Sequence, residues 1–265
     1  MAIVLGVDIG TTSAKCLAVE DSGRILAFAQ QAYPMSHPYE DWAEQDPEDY
    51  LRALAVIVRQ CVGECQRLGR AIDDVRAMAL SAQADTLIVA DANGRALRPA
   101  ISWMGRATEE WRALVEEHGE AFWREHAGQR LTPYSSACKI RRLQQTEPDM
   151  MASCPHIAYV PDFLARRLTG RWINDVPSAS WSPFVLPTTR ALARPVMDVL
   201  GVSEEQLSPT LDSGQPIGEL LPDVWRDLGL AEGVLLVAGA FDQTAAAHGA
   251  GATACGTSVL SCGTA

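Results

Sequence analysis

The sequence predicts an α/β fold, and three observations carry that prediction. The chain opens on apolar segments of strand length divided by tight turns, a long amphipathic helix follows, and a wholly apolar strand returns at 234–238. Strands that give way to helices and then return build a sheet flanked by helices. At 265 residues and 48% apolar content, the chain is long enough to bury a sizeable core.

Residues 2–8 read as a buried strand, and Gly10-Thr11-Thr12 as the turn into a second strand at 14–19. Asp21-Ser22-Gly23 turns into a third strand from Ile25, with Gly23 supplying the positive φ such a hairpin needs. Asp46 is a good N-cap, Pro47 fits the first helical position, and Glu48 and Asp49 complement the helix dipole. The helix they start presents Leu51, Leu54, Val58, Cys61, Val62, Cys65 and Leu68 on one face and stops at Gly69. Strands follow at 75–80 and 86–90, with a turn at Asp91-Ala92-Asn93-Gly94. The middle third, about 107–211, reads as short helices, at 107–117, 136–145 and 162–168. A Gly-rich stretch runs from the last strand to Ala265, and no repeat or low-complexity tract interrupts the chain.

A net charge of −11 argues against nucleic acid and anionic membranes as partners. It leaves anionic ligands open, because backbone amides bind phosphate on acidic proteins as well. No apolar run approaches the roughly 20 residues of a membrane-spanning helix. The N-terminus enters a strand with no basic region before it, so no signal peptide is expected. An odd count of seven cysteines, with no CxxC pair and no secretory signal, points to a reducing, cytoplasmic setting. Cys61 and Cys65, one helical turn apart, are read as buried thiols and not as metal ligands.

Three segments could carry chemistry. In Val7-Asp8-Ile9-Gly10-Thr11-Thr12-Ser13-Ala14-Lys15, a strand delivers a carboxylate to its end and a turn then offers amides and hydroxyls. That combination suits a phosphate with its magnesium, and it equally suits an ordinary hairpin. In Gly239-Ala240-Phe241-Asp242-Gln243-Thr244, a second strand ends in a carboxylate at a helix start. Asp242 is then either a helix cap or a general base for a substrate hydroxyl, and the small residues around it permit close packing or close ligand approach. Gly256-Thr257-Ser258 and Gly263-Thr264 repeat the strand and Gly-Thr pattern at the end of the chain.

These segments, with Trp42-Ala43-Glu44-Gln45-Asp46-Pro47, Gln83, Trp103 with Arg106, Tyr134 through Lys139, Asp162 and Asp175, resemble in order the N-terminal half of the FGGY carbohydrate kinases. The resemblance implies an actin-like (ribonuclease H-like) domain with a mixed sheet and a helical insertion in the middle third. Residues 1–252 would form the sugar-binding domain, and 253–265 the junction to a second, ATP-binding domain that this chain lacks. It implies phosphorylation of a small sugar, ketose or polyol from ATP and Mg2+, with the chain inactive alone. Asp8 would hold the metal, and Gly10, Thr11, Thr12, Lys15, Gly263 and Thr264 would surround phosphate. Asp242 would be the base beside Gln243, while Gln83, Asp85 and Tyr134 would contact substrate. A homodimer is compatible with this reading.

The sequence departs from the family pattern at three places. Gln83-Ala84-Asp85 matches neither the xylulokinase nor the glycerol kinase version of that turn, which leaves the substrate open. Arg142 stands where a tryptophan is expected, a change assigned to helix packing, and Trp103-Met104-Gly105-Arg106 makes a shorter loop at the cleft edge. Two other classes stay open: a non-catalytic sugar-binding or sensor module, and an actin-like ATPase or scaffold domain. Retention of both Asp8 and Asp242 favours the kinase, since a binder needs no base. His37, in a Pro-rich turn, is read as a surface residue, and His248, Asp162 and Asp175 are read as structural.

Overall fold

The structure is a computed structural model that describes residues 1–153 and 156–260. Gly263 and Thr264, expected at a phosphate, lie outside the described residues. In chain order the elements begin β1 (Ile3–Ile9), β2 (Ser13–Glu20), β3 (Ile25–Ala32), β4 (Glu44–Gln45), α1 (Pro47–Arg67), β5 (Val75–Ala82), β6 (Ile88–Ala90) and β7 (Ala100–Ile101). The helical stretch holds α2 (Thr108–His126), α3 (Ser136–Thr146), α4 (Pro148–Ser153), β8 (His156–Ala158), α5 (Val160–Thr169), β9 (Asn174–Asp175), α6 (Val176–Ala179) and α7 (Arg194–Leu200). The chain then returns to the sheet through β10 (Thr210–Leu211), β11 (Pro216–Glu219), α8 (Pro222–Leu228), β12 (Leu235–Phe241) and α9 (Asp242–Gly249).

One six-stranded sheet, ordered β11-β12-β5-β1-β2-β3, organises the molecule. The hairpins β1-β2-β3 are antiparallel, whereas β1, β5 and β12 run parallel. Three parallel strands therefore end on the same edge of the sheet, where α/β proteins bind their ligands. Ile3, Leu5, Val7 and Ile9 of β1 are buried while Val4 is exposed, the period-2 alternation of a strand with one covered face.

α1 begins as the sequence predicts: the Asp46 carboxylate accepts the Glu48 amide at 3.0 Å, and Pro47 follows at once. Its buried stripe includes Tyr50, Ile57, Cys61 and Cys65, whereas Leu68 is exposed because the helix has already ended at its C-cap. Gly69 follows that cap at φ +77°.

The middle third closes a second core around Trp123, Leu114, Ile140, Leu143, Phe184 and Val196, separate from the sheet core. The helix expected over 107–117 continues to His126, past Gly119 at φ +77°, where the chain bends and resumes. Trp42 joins this core, and the Arg142 guanidinium lies 4.6 Å from its ring centroid. Arg142 is thus a packing residue, as expected. Of the strand expected over 86–90, Ile88–Ala90 pairs with β8 and Leu87 forms a single bridge to Ile101, while the Thr86 side chain turns to partners described below.

Candidate active site

The site is assembled at the carboxyl ends of β1, β5 and β12. Cross-strand register puts Asp8 of β1 opposite Lys15 of β2, and the lysine Nζ sits 3.2 Å from Asp8 Oδ2. On the other side, Ser81 of β5 is in register with Asp8 and its hydroxyl donates to Asp8 Oδ1 at 3.3 Å. The turn after β1 closes through the Gly10 amide on the Ser13 carbonyl at 3.1 Å. Side chains brace it: Tyr33 Oη donates to the Gly10 carbonyl, Gln45 Nε2 to the Thr11 carbonyl at 2.8 Å, and Trp103 Nε1 to the Thr11 hydroxyl at 2.9 Å. Burial, and then the nearby Asp8 charge, push the Tyr33 phenol well above its ordinary range, so it stays a donor.

Asp242 is the first residue of α9, with Phe241 as its cap. The reading of Asp242 as the N-cap is therefore off by one residue. Its Oδ1 accepts the neighbouring Gln243 amide at 2.6 Å. Burial raises the Asp242 carboxyl above the ordinary carboxylate range; the Gln243 amide lowers it, Asp8 raises it and Lys15 lowers it. The two strand-end carboxylates are thus close enough to feel each other.

β12 reaches this position through a bulge. Its register with β5 slips between Val237 and Ala240, so Ala238 and Gly239 lie against the single residue Leu80. Gly239 packs directly on the β5 backbone: a Cβ there would stand 1.6 Å from the Leu80 carbonyl oxygen. The close approach expected of these small residues is thus to a neighbouring strand.

The turn after β5 forms the floor. Gln83 lines the cleft but is 1% exposed, with its amide in a buried network. Its Nε2 donates to Gln45 Oε1 at 3.2 Å and to Tyr50 Oη at 3.4 Å, and the Thr86 hydroxyl donates to its Oε1 at 3.2 Å. The Thr86 hydroxyl in turn accepts the Trp103 amide at 3.1 Å. Asp85 takes φ +53°, unusual for a residue with a side chain, and its Oδ2 accepts the Ser136 amide of α3 at 3.0 Å.

Between these strand ends and the helical layer lies a cleft of about 400 Å³. Thr11, Gln83, Ala84, Asp85, Asp242 and Gln243 line its sheet side, and Tyr134 and Gln129 its helical side. Trp103 and Trp181 wall it; the Trp181 ring packs on Phe241 with centroids 5.0 Å apart. The Tyr134 hydroxyl accepts from Arg106 Nε at 2.9 Å, so the short Trp103–Arg106 loop touches both sides of the cleft. A wider depression of about 650 Å³ beside the start of α1 is lined by the ion-paired Arg98 and Arg167 and by Asp46 and Pro47, but by none of the residues expected to contact substrate or phosphate.

The sequence-predicted Gln83, Asp85, Tyr134, Asp242, Gln243 and Thr11 all line one cleft, with Asp8 and Lys15 beside Asp242. Trp181 and Gln129 carried no sequence signal. Asp162 and Asp175 are structural as expected, but Asp162 sits inside α5, where its carboxylate returns to the Tyr159 amide at 2.7 Å. Asp175 caps α6 through the Ser178 amide at 2.8 Å. His37 and His248 are exposed. Among the described residues no three His, Cys, Asp or Glu side chains gather to cage a metal. A lone strand-end carboxylate is nonetheless how magnesium is commonly held when phosphate oxygens and water complete its shell.

Fold and cleft together define an α/β protein with a small-molecule-sized cleft at its parallel strand ends, lined by Asp85 and Asp242. The chain belongs to the FGGY family of carbohydrate kinases, whose N-terminal-domain model matches residues 3–249. It is 28% identical over 261 residues to xylulose kinase of Escherichia coli K12, covering 98% of this chain and 52% of that protein. It is 29% identical over 257 residues to glycerol kinase of Polaromonas sp. JS666, covering 94% of this chain and 50% of that protein. The crystal structure of xylulose kinase from Rhodospirillum rubrum superposes with a TM-score of 0.89 at 22% identity, over 95% of this chain and 51% of that one. Plasmodium falciparum glycerol kinase with ADP gives 0.83 at 19% identity, over 94% and 50%. The chain spans about half the length of the curated relatives it matches. No helix among the described residues is long and apolar enough to cross a membrane.

Proposed function

We propose that this chain is the sugar- or polyol-binding domain of an ATP-dependent kinase and that its fold is of the actin-like (ribonuclease H-like) kind. Residues 1–252 make that domain, and 253–265 lead toward a second, nucleotide-binding domain. The observation that carries the reading is the pair Asp8 and Asp242 at the ends of β1 and β12, the two strands that flank β5, with Asp242 opening on a polar-floored cleft. A cleft of about 400 Å³ suits a small sugar. The names of the relatives, xylulose kinase and glycerol kinase, support small polyols as the class.

In this reading Asp242 accepts the proton of one substrate hydroxyl as its oxygen attacks the γ-phosphorus of ATP, and the bond to the ADP oxygen breaks. Alignment of hydroxyl and phosphate supplies most of the rate, and the base a further part. Asp8 would hold the magnesium, which when bound neutralises phosphate charge; Lys15 and the turn at Gly10, Thr11 and Thr12 meet phosphate oxygens. Asp85 accepts a substrate hydroxyl, and Ala84 leaves room beside it. Gln243 and Tyr134 complete the pocket, and Gln83 holds its floor.

The test is Asp242→Asn in a two-domain protein that carries this chain. Turnover should fall by about 10²–10⁴ while sugar affinity stays within a few fold. Near-normal turnover would remove the base assignment. The 265-residue chain alone should release no ADP in response to sugar; sugar binding without Asp242-dependent turnover in the two-domain protein would favour a sensor module instead.

A further inference from the structure

Lys139 is fully buried, one of the largest such side chains in the molecule. A lysine is rarely left there without a partner, because its charge loses hydration. It lies on α3 one turn after Ser136, so the two residues share a face. Both meet Asp85. The Ser136 amide donates to Asp85 Oδ2 at 3.0 Å, and Lys139 Nζ lies 3.4 Å from the Asp85 main-chain oxygen. One helix thereby holds the side chain and the backbone of a residue in the left-handed region. The other carboxylate oxygen, Oδ1, is buried and has no hydrogen-bond partner in the protein. An acceptor left unpaired at such a place costs stability unless something else completes it. Asp85 as a residue lines the cleft, so a donor on a bound ligand completes Oδ1 once the carboxylate turns toward it.

We propose that Lys139 is a positioning residue: from inside α3 it holds the Asp85 turn and balances its carboxylate, so that Asp85 stands as a charged acceptor for one hydroxyl of a polyol. This rests on the polyol-binding reading above. A neutral carboxylic acid would present a proton where the hydroxyl must present its own, so charge at Asp85 sets which group is recognised.

The surroundings agree with this role. Asp85 is faced by Lys139, Ser136 and Cys138 of α3 and by Tyr159 at the start of α5; Glu110 of α2 acts on Cys138. Burial raises the Asp85 carboxyl to about 6, with Lys139 and then Ser136 opposing the rise. Burial lowers the Lys139 ammonium to about 8, and Asp85 opposes that. Cys138 is pushed up to about 12 and Tyr159 above its usual range, in both cases by burial first and Asp85 second, so neither supplies a competing charge near neutrality. Near pH 7 the lysine and the carboxylate are both mostly charged.

The experiment follows the Asp85 carboxyl directly, by ¹³C NMR of the aspartate-labelled chain, its resonance assigned by loss in Asp85→Asn. In the unsubstituted chain it should titrate near pH 6. Lys139→Met should move that midpoint up by about 1–3 pH units, and Lys139→Arg should return most of the change. An unmoved midpoint in folded Lys139→Met overturns the proposal. Should Lys139→Met fail to fold, the reciprocal measurement decides: in Asp85→Asn the lysine Nζ should titrate below its value of about 8, and an unchanged value overturns the proposal. Thermal shift with glycerol and with xylulose, each at millimolar concentration from pH 5 to 8, tests the reading beneath it. Protection should fade below the Asp85 midpoint and fade at higher pH in Lys139→Met. Moved titrations without protection by either polyol at any pH would overturn the polyol reading and leave the hold of Lys139 on Asp85 in place.

Discussion

Replacing Gly239 with alanine tests how the second strand-end carboxylate is delivered. The added Cβ would meet the Leu80 carbonyl oxygen at 1.6 Å and its carbon at 2.6 Å. Ordinary contact begins at 3.4 Å, so β12 must retreat from β5 by about 1.8 Å. The obstacle is backbone in the middle of a sheet, which cannot swing aside like a side-chain tip. The retreat disrupts the pairing of Ala240 with Ser81 and of Phe241 with Ala82, immediately before Asp242. With two broken backbone hydrogen bonds at about 0.5–1.5 kcal/mol each and overpacking at about 1–3 kcal/mol, the loss should be about 2–6 kcal/mol. At about 2–4 °C per kcal/mol for a domain approaching this size, the midpoint of thermal unfolding should drop by roughly 10 °C. Gly63→Ala is the control. It lies within α1 with nothing within 4 Å of its would-be Cβ, so alanine should stabilise by about 0.5–1 kcal/mol. Urea unfolding followed by circular dichroism, compared at unchanged slope, reads both. A loss below about 1 kcal/mol for Gly239→Ala, or the same sign for both substitutions, would refute the argument that this glycine is required by contact with β5.

Two further outcomes follow from buried polar groups. Asp162 is 1% exposed and its carboxyl is raised to about 7 by burial, against the pull of the Ser208 hydroxyl and the Tyr159 amide. A raised folded value means its contribution to stability is complete below the unfolded value near 3.8 and is lost as pH climbs through about 7. Asp162→Asn should therefore flatten the fall in stability between pH 4 and 8, and parallel profiles for the two proteins would contradict the assignment. Tyr50→Phe removes the hydroxyl that donates to Gln45 Oε1 at 2.9 Å and accepts from Gln83. Chemical unfolding should show a loss of about 1–2 kcal/mol, because two buried amides are left short of a partner; a neutral result would mean that the network does not need this member.

The sequence by itself determined whatever depends on a few consecutive residues. Asp46 and Pro47 start α1 through their own side chain and ring, and Gly23, Gly69 and Gly94 turn the chain because only backbone without a Cβ takes their positive φ cheaply. The strand ends at Asp8 and Asp242 were legible for the same reason, as apolar runs stopping at a carboxylate. Only the tertiary structure decided which of these groups meet. Gln83 reads as a substrate contact in the motif, yet its amide is held by Gln45 and Tyr50, 38 and 33 residues away. Lys139 reads as one residue of a helix, and its partner Asp85 lies 54 positions earlier. Gly239 reads as a small residue before a site, whereas its requirement comes from Leu80 on a neighbouring strand. Buried charge and backbone contact are properties of the surroundings a residue acquires in the fold, and no local pattern encodes who those neighbours will be.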